Sequence, residues 1–460
     1  MADEARIIGG IDWRTTFPFT HLFRSFRLAI HPSKLLLGLT LLLLFYAGGR
    51  FLDGIWPNSA RAPRSEQLIS PTEMPIPAQV GTTPDPLITL NENVGPFVPF
   101  FDYEAEQLNN VCRAILEWNW VGPAGITNLD LDIPTIRPSG VLSSIYNFLV
   151  VGPRWAFTTH PLFFSALTIW FILLWSIFGG AISRIAAVHV ARDEKISIRQ
   201  ALRFSTGKVL SFIFAPLIPI IIFFVLGILL AIGGLLNYIP FAGPILLGII
   251  YFLALAVGFV ITLVLLGTVA GFPLMYPTIA VEGSDSFDAI SRSFSYVYAR
   301  PWRMLFYTLV ALIYGAFTYL FLRLFLFIML GLMHGFQAWW LTGNTYAAWQ
   351  TMWPGPQFFR FPYDINFPAL TIGQKGGAGI IAFWLYLTIS LLGAYAISFF
   401  FSAYTIVYYL LRQEVDATEL DDVFIESADE EFGEAPAETA PATEPPAPES
   451  TGPAPGTTSV

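Results

Sequence analysis

Cysteine, histidine and charged side chains are scarce in this chain of 460 residues. It has one cysteine, five histidines and 12% charged residues, against 55% hydrophobic ones. A lone Cys112 excludes an intrachain disulfide and a metal site built from several cysteines. Soluble proteins of similar apolar content carry about a quarter charged residues. The composition therefore predicts an integral membrane protein, and we expect no enzymatic activity, no cofactor and no metal site.

The net charge of -9 comes from the C-terminal segment 412–460. That segment alone sums to -12, so the rest of the chain is weakly basic at +3. It consists largely of Glu, Ala, Pro and Thr, which supply too few apolar side chains to form a core. We predict an acidic, disordered tail from about Glu426 onward that serves as an interaction segment for a basic protein partner.

Six apolar stretches are long enough to cross a bilayer, which takes about 20 residues of α-helix. None carries a charged residue at mid-depth. They predict an all-α fold in which 34–52 is the first crossing and 162–411 is a five-helix membrane domain. The six stretches are 35–52, 162–183, 209–232, 245–270, 304–322 and 378–411.

Lysine and arginine lie near alternate ends of these stretches, and such residues favour the cytoplasmic side of a membrane. Segments 1–33 and 184–208 are rich in them, whereas the short connection 233–244 has none. We therefore expect both termini in the cytoplasm of a bacterium, with segments 53–161 and 334–377 outside its inner membrane.

The two outer segments differ in composition. Segment 53–161 begins as a proline-rich linker and ends with apolar residues at helical spacing over 105–116 and 141–149, which predicts a small helical cap. Segment 334–377 is rich in tryptophan and phenylalanine. Aromatic rings suit the membrane interface without any ligand, so we interpret this loop as an interfacial belt.

A short amphipathic pattern precedes each crossing that begins on the cytoplasmic side. It lies at 23–30, 198–205 and 287–297. The middle copy opens with Ser197 and Gln200, which form a capping box that satisfies two free backbone amides. We interpret the chain as three parallel helical hairpins, each preceded by a cytoplasmic amphipathic helix.

One motif is similar to that of a known family. Its residues are Tyr276-Pro277-Thr278-Ile279-Ala280-Val281-Glu282-Gly283, Ser286-Phe287-Asp288-Ala289-Ile290-Ser291-Arg292-Ser293-Phe294 and Trp302-Arg303. The motif resembles that of bacterial polytopic proteins related to the glycerophosphoryl diester phosphodiesterase membrane domain. The ending 406–412, followed by Asp416, resembles uncharacterised inner-membrane proteins of planctomycete-type bacteria. The resemblance implies a membrane domain without known chemistry, because no soluble stretch accommodates a phosphodiesterase barrel of about 250 residues.

Two sets of charged residues are candidate sites. Five bases after the second crossing predict a contact with anionic lipid headgroups, each attracted by about 1 kcal/mol. These are Arg192, Lys195, Arg199, Arg203 and Lys208. Glu282 closes the fourth crossing and Arg292 follows on the polar side of the next helix. An ion pair is possible if that helix folds back beneath the crossing.

Prolines, small residues and two arginines mark special points on the crossings. Pro216 and Pro219 predict a kink or break in the third crossing, because proline removes a backbone donor. Arg184 and Arg323 lie near crossing ends and are expected to snorkel.

Small residues at four-residue spacing predict close helix packing. They are Ser390, Ala394, Ser398 and Ser402 on the sixth crossing, and Ala254, Gly258 and Thr262 on the fourth.

These observations leave two functions open. The preferred hypothesis is a non-enzymatic, membrane-organising or interaction scaffold that contacts membrane lipids and binds no nucleic acid. The alternative is a small-molecule or lipid permease that uses the kinked third crossing. An enzyme acting on lipid needs paired carboxylates or histidines near one membrane face. Glu282, Asp285 and Asp288 come nearest to that, and helix capping explains them equally well.

Overall fold

The computed structural model is built of helices, and its described residues contain no strand. It describes residues 17–56, 95–121, 140–359, 365 and 369–424. The predicted proline-rich linker over 57–94 and the predicted tail from 426 lie outside these residues. Six helices are long and apolar enough to cross a membrane, which confirms the all-α polytopic membrane fold.

The helices are numbered in chain order. They are α1 Arg24–Ala29, α2 Pro32–Ile55, α3 Phe97–Leu116, α4 Val141–Tyr146, α5 Gly152–Thr159, α6 Pro161–Leu174, α7 Gly180–Arg192, α8 Ile198–Gly207, α9 Val209–Gly234, α10 Ala242–Glu282, α11 Ser286–Ala299, α12 Pro301–Ala338, α13 Gly343–Met352 and α14 Ile372–Asp416. A π-helical turn, Trp175–Gly179, joins α6 to α7, so that Pro161–Arg192 forms one span. A second π-helical turn, Asn147–Val151, joins α4 to α5. The other spans are α2, α9, α10, α12 and α14.

Successive spans run in opposite directions, so α2, α9 and α12 begin where α7, α10 and α14 end. We call this side of the bundle the packed end and the opposite side the far end. Two clusters of buried apolar side chains occupy the packed end. They draw residues such as Ile185, Ile279 and Val407 from α7, α10 and α14. The two largest clusters of the core therefore lie at the packed end, and a smaller cluster with Phe97 and Phe163 lies toward the far end.

Helix α14 is the central element of the bundle, since it packs against α2, α7, α10 and α12. Small residues allow this contact: Ala394, Ser398 and Ser402 are fully buried. A Cβ added to Gly38 of α2 would lie only 2.8 Å from the carbonyl oxygen of Ala394. The Ser398 hydroxyl donates a hydrogen bond of 2.8 Å to the carbonyl oxygen of Ala29. The predicted packing stripe on α14 is confirmed at these three positions.

The similar stripe predicted on α10 makes no such contact. Thr262 is exposed, and a Cβ added to Gly258 would meet no atom within 4 Å. The Thr262 hydroxyl donates instead to the carbonyl oxygen of Gly258 in its own helix. The packing prediction for this stripe is wrong, because small residues permit close approach but do not supply a neighbour.

The helices extend beyond the apolar stretches that predict them. Helix α12 continues to Ala338 and α13 follows it, so the predicted outer loop 334–377 is partly helical. Helix α14 continues through Arg412 to Asp416, and Arg412 is only 6% exposed. Helix α14 therefore extends into the acidic segment 412–460, because backbone hydrogen bonding continues beyond the hydrophobic thickness of a membrane.

A short helix comes directly before each of α2, α9 and α12, and each one buries a serine. These helices are α1, α8 and α11, and the serines are Ser25, Ser205 and Ser293. The three hairpin units thus share a local arrangement. Their relation as parallel repeats about an axis along the membrane normal stays a prediction.

At the far end, α3 packs against α4 and the π-helical turn that follows it. Helices lie at both places where the apolar spacing predicts a cap. Their interface contains buried polar groups: Asn147 Nδ2 donates to Gln107 Oε1 at 3.3 Å, and Ser144 is fully buried. Both carboxyl oxygens of Glu104 are buried without a hydrogen-bond partner. Burial raises the pKa of Glu104 to about 8, so this carboxyl is mostly neutral at pH 7.

Candidate functional site

Four of the five bases predicted to contact lipid are exposed at the packed end. Arg192 is the last residue of α7 and Lys195 lies in the turn that follows it. Arg199 and Arg203 lie one turn apart on α8. We call these four residues the basic patch. Their exposure leaves four positive charges available at one edge of the bundle.

Lys208, the fifth base, is half-buried and has a different role. Its ammonium donates a hydrogen bond to the carbonyl oxygen of Gly283. Gly283 ends α10 in the left-handed conformation, with a φ of 64°. Carbonyls at a helix C-terminus lack intrahelical donors and carry the negative end of the helix dipole. Lys208 therefore ties the start of α9 to the end of α10 and does not extend the basic patch.

Helix α8, which carries half of the basic patch, is fixed at both of its ends. The predicted capping box is confirmed, with the Gln200 amide 3.2 Å from Ser197 Oγ. Near its other end, the Ser205 hydroxyl donates to the carbonyl oxygens of Ser176 at 3.0 Å and Ile177 at 2.7 Å. These carbonyls belong to the π-helical turn Trp175–Gly179, whose altered hydrogen bonding makes them available. The patch is thus presented on an anchored helix.

Arg184 of α7 also contacts α8, together with α10, from inside the bundle. It is 6% exposed, and its Nη1 donates a 2.8 Å hydrogen bond to the carbonyl oxygen of Ala280. Its guanidinium lies 4.5 Å from the ring centroid of Phe204 on α8, in cation–π geometry. The expectation that Arg184 snorkels is wrong, because α10 offers a carbonyl acceptor and α8 an aromatic face inside the fold.

Glu282 is the centre of an ionic cluster at the end of α10. Its Oε1 lies 2.8 Å from Arg412 Nε and accepts a 3.0 Å hydrogen bond from the Tyr408 hydroxyl. Arg292 Nη1 lies farther away, at 3.8 Å. The closer partner of Arg292 is Asp288, both of whose carboxylate oxygens lie 3.0 Å from its Nε. Arg292 and Glu282 are thus brought near each other, but each has a closer partner: Asp288 for Arg292 and Arg412 for Glu282.

Arg412 connects this cluster to the chain that follows α14. Its Nη2 lies 2.7 Å from a carboxylate oxygen of Asp422, and its Nη1 donates to the Asp422 backbone carbonyl at 2.7 Å. Sequence reasoning missed this role, because Arg412 stands at the beginning of an acidic segment. The only signal was its position as the single base beside thirteen acids.

Three tyrosines of the packed end each donate to a carboxylate. Besides Tyr408 on Glu282, Tyr307 donates to Glu414 at 2.6 Å, and Tyr296 donates to Asp416. Glu414 also pairs with Arg303. Burial, together with the hydrogen bond to Asp416, raises the pKa of Tyr296 to about 12. Phenols that stay protonated at every physiological pH act as permanent donors that join α11, α12 and α10 to α14.

This arrangement is suited to holding helices together rather than to proton transfer. A general base needs an accessible lone pair and a pKa near the working pH. Glu282 has Arg412 and Tyr408 as close partners, and its side chain is 16% exposed. Within the described residues, no group of three or more His, Cys, Asp or Glu side chains is placed to hold a metal ion.

The two prolines of the third crossing lie inside a continuous helix. Helix α9 runs from Val209 to Gly234 through Pro216 and Pro219, so the predicted break is absent. A kink at these residues stays a prediction. Two pockets at the packed end, one beside Tyr409 and one beside His189, are lined by residues of other elements, and neither proline contributes to them. The permease hypothesis gains no support from these two pockets.

At the far end, Arg323 of α12 is also buried, at 2% exposure. Its Nη2 donates to Asn109 Oδ1 at 2.9 Å, and its Nε donates to the carbonyl oxygen of Phe358 at 2.9 Å. The predicted snorkelling of Arg323 is wrong, since α3 and the chain beyond α13 satisfy the guanidinium. Composition gave no signal of this contact, which joins residues more than 200 positions apart.

No protein-family model, no curated protein and no solved structure matches the chain. The resemblance to the glycerophosphoryl diester phosphodiesterase membrane domain family therefore stays a prediction, carried by the motif at 276–294. What the geometry itself establishes is a multi-pass, membrane-competent helical bundle with a buried ionic cluster and an exposed basic patch at one end.

Proposed function

We propose that this protein is a non-enzymatic scaffold of a bacterial inner membrane that gathers anionic lipid headgroups at its packed end. The basic patch is the observation that carries the proposal. Arg192, Lys195, Arg199 and Arg203 are exposed together, while the opposite face of α8 is fixed by Ser205. A patch on an anchored helix keeps its charges at a constant height relative to the membrane helices.

The electrostatics of the patch support a moderate and salt-sensitive attraction. Each base near an anionic surface contributes about 1 kcal/mol. Asp193 and Glu194 are also exposed among these bases and reduce the net charge. Asp193 is partly neutralised, since it lies 3.5 Å from the guanidinium of Arg24. Exposed charges are screened within a Debye length of about 8 Å at physiological salt.

The proposal includes an orientation in which the packed end and both termini face the cytoplasm. The concentration of Lys and Arg at the start of α2, α9 and α12 supports it. In this orientation the acidic segment beyond the described residues extends into the cytoplasm. It would there be available to a basic protein partner, while the chain as a whole binds lipid and no nucleic acid.

Lipid recognition is tested by removing the patch. The fourfold variant Arg192→Gln, Lys195→Gln, Arg199→Gln and Arg203→Gln is placed in nanodiscs of mixed phosphatidylcholine and phosphatidylglycerol, and retained lipids are counted by native mass spectrometry. We expect the wild type to enrich phosphatidylglycerol and the variant to lose most of that enrichment. Arg300→Gln, an exposed base outside the patch, is the control. Equal enrichment in all three proteins contradicts the proposed function.

Orientation is tested by cysteine accessibility in a Cys112→Ala background. Thr345→Cys lies on exposed α13 at the far end, and Arg199→Cys lies on exposed α8 at the packed end. An impermeant thiol reagent added to intact spheroplasts should label the first and not the second. Permeabilised cells should label both, which controls for accessibility. The reverse pattern in intact spheroplasts would invert the proposed topology.

A further inference from the structure

A cavity of about 260 Å³ lies beside the basic patch, between α1 and the end of α7. Its lining includes Arg24, Arg27, His189 and Asp193. Its volume is slightly below the roughly 300 Å³ at which pockets for drug-sized molecules begin. It far exceeds the share of about 30 Å³ that one water takes in the liquid. The cavity therefore has room for a small polar group.

Lys34, in the first turn of α2, brings a buried charge to this region. Its side chain is 0% exposed, and its Nζ makes no hydrogen bond or ion pair within the described part of the chain. It is close enough to interact electrostatically with both His31 and His189. A buried ammonium without a counter-ion is costly, so this site is incomplete as the protein alone presents it.

Two histidines adjoin the same place. The rings of His31 and His189 meet edge to face, with centroids 6.0 Å apart. The Nδ1 atom of each ring is buried without a hydrogen-bond partner. Burial, followed by the charges of Lys34 and Lys195, lowers the pKa of His31. Burial, followed by nearby positive charge, favours the neutral form of both rings, and each neutral ring can donate one N–H.

The charges around the cavity do not balance. Asp193 is the one acid in its lining, and it lies 3.5 Å from Arg24. Arg27 has no carboxylate within 4 Å among the described residues, and Lys34 has none either. Arg27 and the buried Lys34 amine therefore remain without an anionic partner among the described residues after the pair of Arg24 and Asp193 is set aside. An anion with several acceptor oxygens would satisfy both of them.

We propose that this cavity, which we call the Lys34 pocket, binds one phosphate group carried by an anionic lipid headgroup or by a free phosphate ion. Arg27 and His189 line the cavity, and the buried Lys34 amine and the His31 ring lie close to His189. The proposal deepens and rests on the proposed function, because it assigns phosphate recognition to a defined pocket beside the basic patch.

Thermal unfolding of the full-length protein in a neutral detergent tests the pocket. One arm compares potassium phosphate with potassium chloride at equal ionic strength. The other compares a short-chain phosphatidic acid with the corresponding phosphatidylcholine. A ligand that binds only the folded state raises the unfolding midpoint in proportion to its affinity. We expect at least one phosphate-bearing probe to stabilise the wild type, and its apparent affinity is read from the concentration dependence.

Three variants then locate the binding. Lys34→Met keeps an unbranched side chain and removes the buried amine. The variant should therefore fold, and its affinity for the probe should fall by about tenfold or more. Arg27→Gln, at an exposed position, should weaken it similarly and covers the case in which Lys34→Met does not fold. Arg199→Gln in the basic patch should bind as the wild type does, because it lies on α8 and outside the pocket lining.

The outcomes separate the pocket from the proposed function. Stabilisation by both probes identifies phosphate itself as the ligand, and stabilisation by phosphatidic acid alone identifies a lipid headgroup. Either result supports the pocket. No stabilisation by either probe overturns it, as does unchanged affinity in Lys34→Met or Arg27→Gln. An equal loss in Arg199→Gln shows diffuse surface attraction, which overturns the pocket and leaves the basic patch as the lipid contact.

Discussion

The two halves of α10 are both apolar, and they differ in environment. From Leu274 to Val281, every residue is buried among other helices. In the half nearer the far end, Phe252, Leu255 and Phe259 are each more than 60% exposed. The most hydropathic window of this helix has none of its residues buried. One continuous helix thus has a protein-facing half and a half left to lipid.

This difference shows that hydropathy indicates which helices can enter a membrane, but not which of their residues pack against other helices. Lipid tails are as apolar as a leucine side chain, so exposing leucine to lipid carries no penalty that would draw helices together. What marks the packed half is polar: Glu282 binds Arg412 and Tyr408, and Lys208 binds Gly283. Helix association at the packed end therefore depends on hydrogen bonds and ion pairs together with close apolar contacts.

The largest loss of unfolding free energy is expected from removing Arg412 from the ionic cluster around Glu282. Arg412→Gln leaves Glu282 and Asp422 without their guanidinium, and Arg412 is nearly inaccessible to solvent. Loss of one partner of a buried ion pair costs about 3–5 kcal/mol of unfolding free energy. Denaturant titration in detergent measures it, with exposed Arg300→Gln as the control. Equal stability of the two variants would show that the cluster does not close the fold.

A matched pair of substitutions tests the comparison on α10 itself. Leu274 is 0% exposed and Leu255 is 63% exposed. Leu274→Ala creates a cavity and should lower the unfolding free energy by about 3 kcal/mol. Leu255→Ala removes the same atoms from a lipid-facing site and should change it by less than about 0.5 kcal/mol. Similar losses in both variants would mean that another chain covers the exposed half.

The far end has a buried polar group of its own, and pH tests it. Because the folded protein raises the pKa of Glu104 from 4.5 to about 8, the folded state holds a proton that the unfolded state releases. Stability from this group is fully present below pH 4.5 and is lost as pH rises through about 8. The loss should be about 2 kcal/mol, after a discount for partial solvent screening.

Unfolding measured from pH 5 to 9 checks this prediction. Glu104→Gln should remove the decline, while Glu117→Gln, on the exposed cap of the same helix, should retain it. A wild-type curve that is flat over this range would show that water reaches Glu104.

The smallest effect concerns the edge of the ionic cluster. Arg292 is 39% exposed and lies 3.8 Å from Glu282, so their coupling should be about 0.2–1 kcal/mol. Stabilities of Glu282→Gln, Arg292→Gln and the double variant give this coupling directly. Strictly additive losses would indicate two independent charges, whereas a coupling above about 2 kcal/mol would place Arg292 in the buried cluster.

The spans could be predicted from the sequence because the length of an apolar run alone decides whether a helix crosses a bilayer. The capping box at Ser197 and the packing stripe around Ser398 were also predictable, since both depend on local spacing. The stripe around Gly258 failed, because its outcome depends on whether a neighbour is present. Local patterns thus give the elements and their faces, but not the pairing of those faces.

The ionic cluster was less accessible to sequence reasoning. Glu282 and Arg292 are ten positions apart, so a fold-back beneath α10 is enough to suggest their pairing. Arg412 comes from another hairpin 130 positions later, and no spacing rule connects it to Glu282. Arg184 and Arg323 lie near the ends of the predicted crossings, where a snorkelling arginine and a buried arginine give the same sequence pattern. Only the folded structure shows that both guanidinium groups find hydrogen-bond acceptors inside the protein.

The central position of α14 has a consequence for how the protein is made. Of the six spans it is the last to leave the ribosome, yet α2, α7, α10 and α12 all pack against it. At synthesis rates of about 5–20 residues per second, the first helix waits on the order of tens of seconds for this partner. During that interval the nascent chain holds Glu282 without Arg412. Assembly of the six spans is therefore completed by the last-made one, and a chain that stops before α14 inserts its earlier helices without acquiring their common partner.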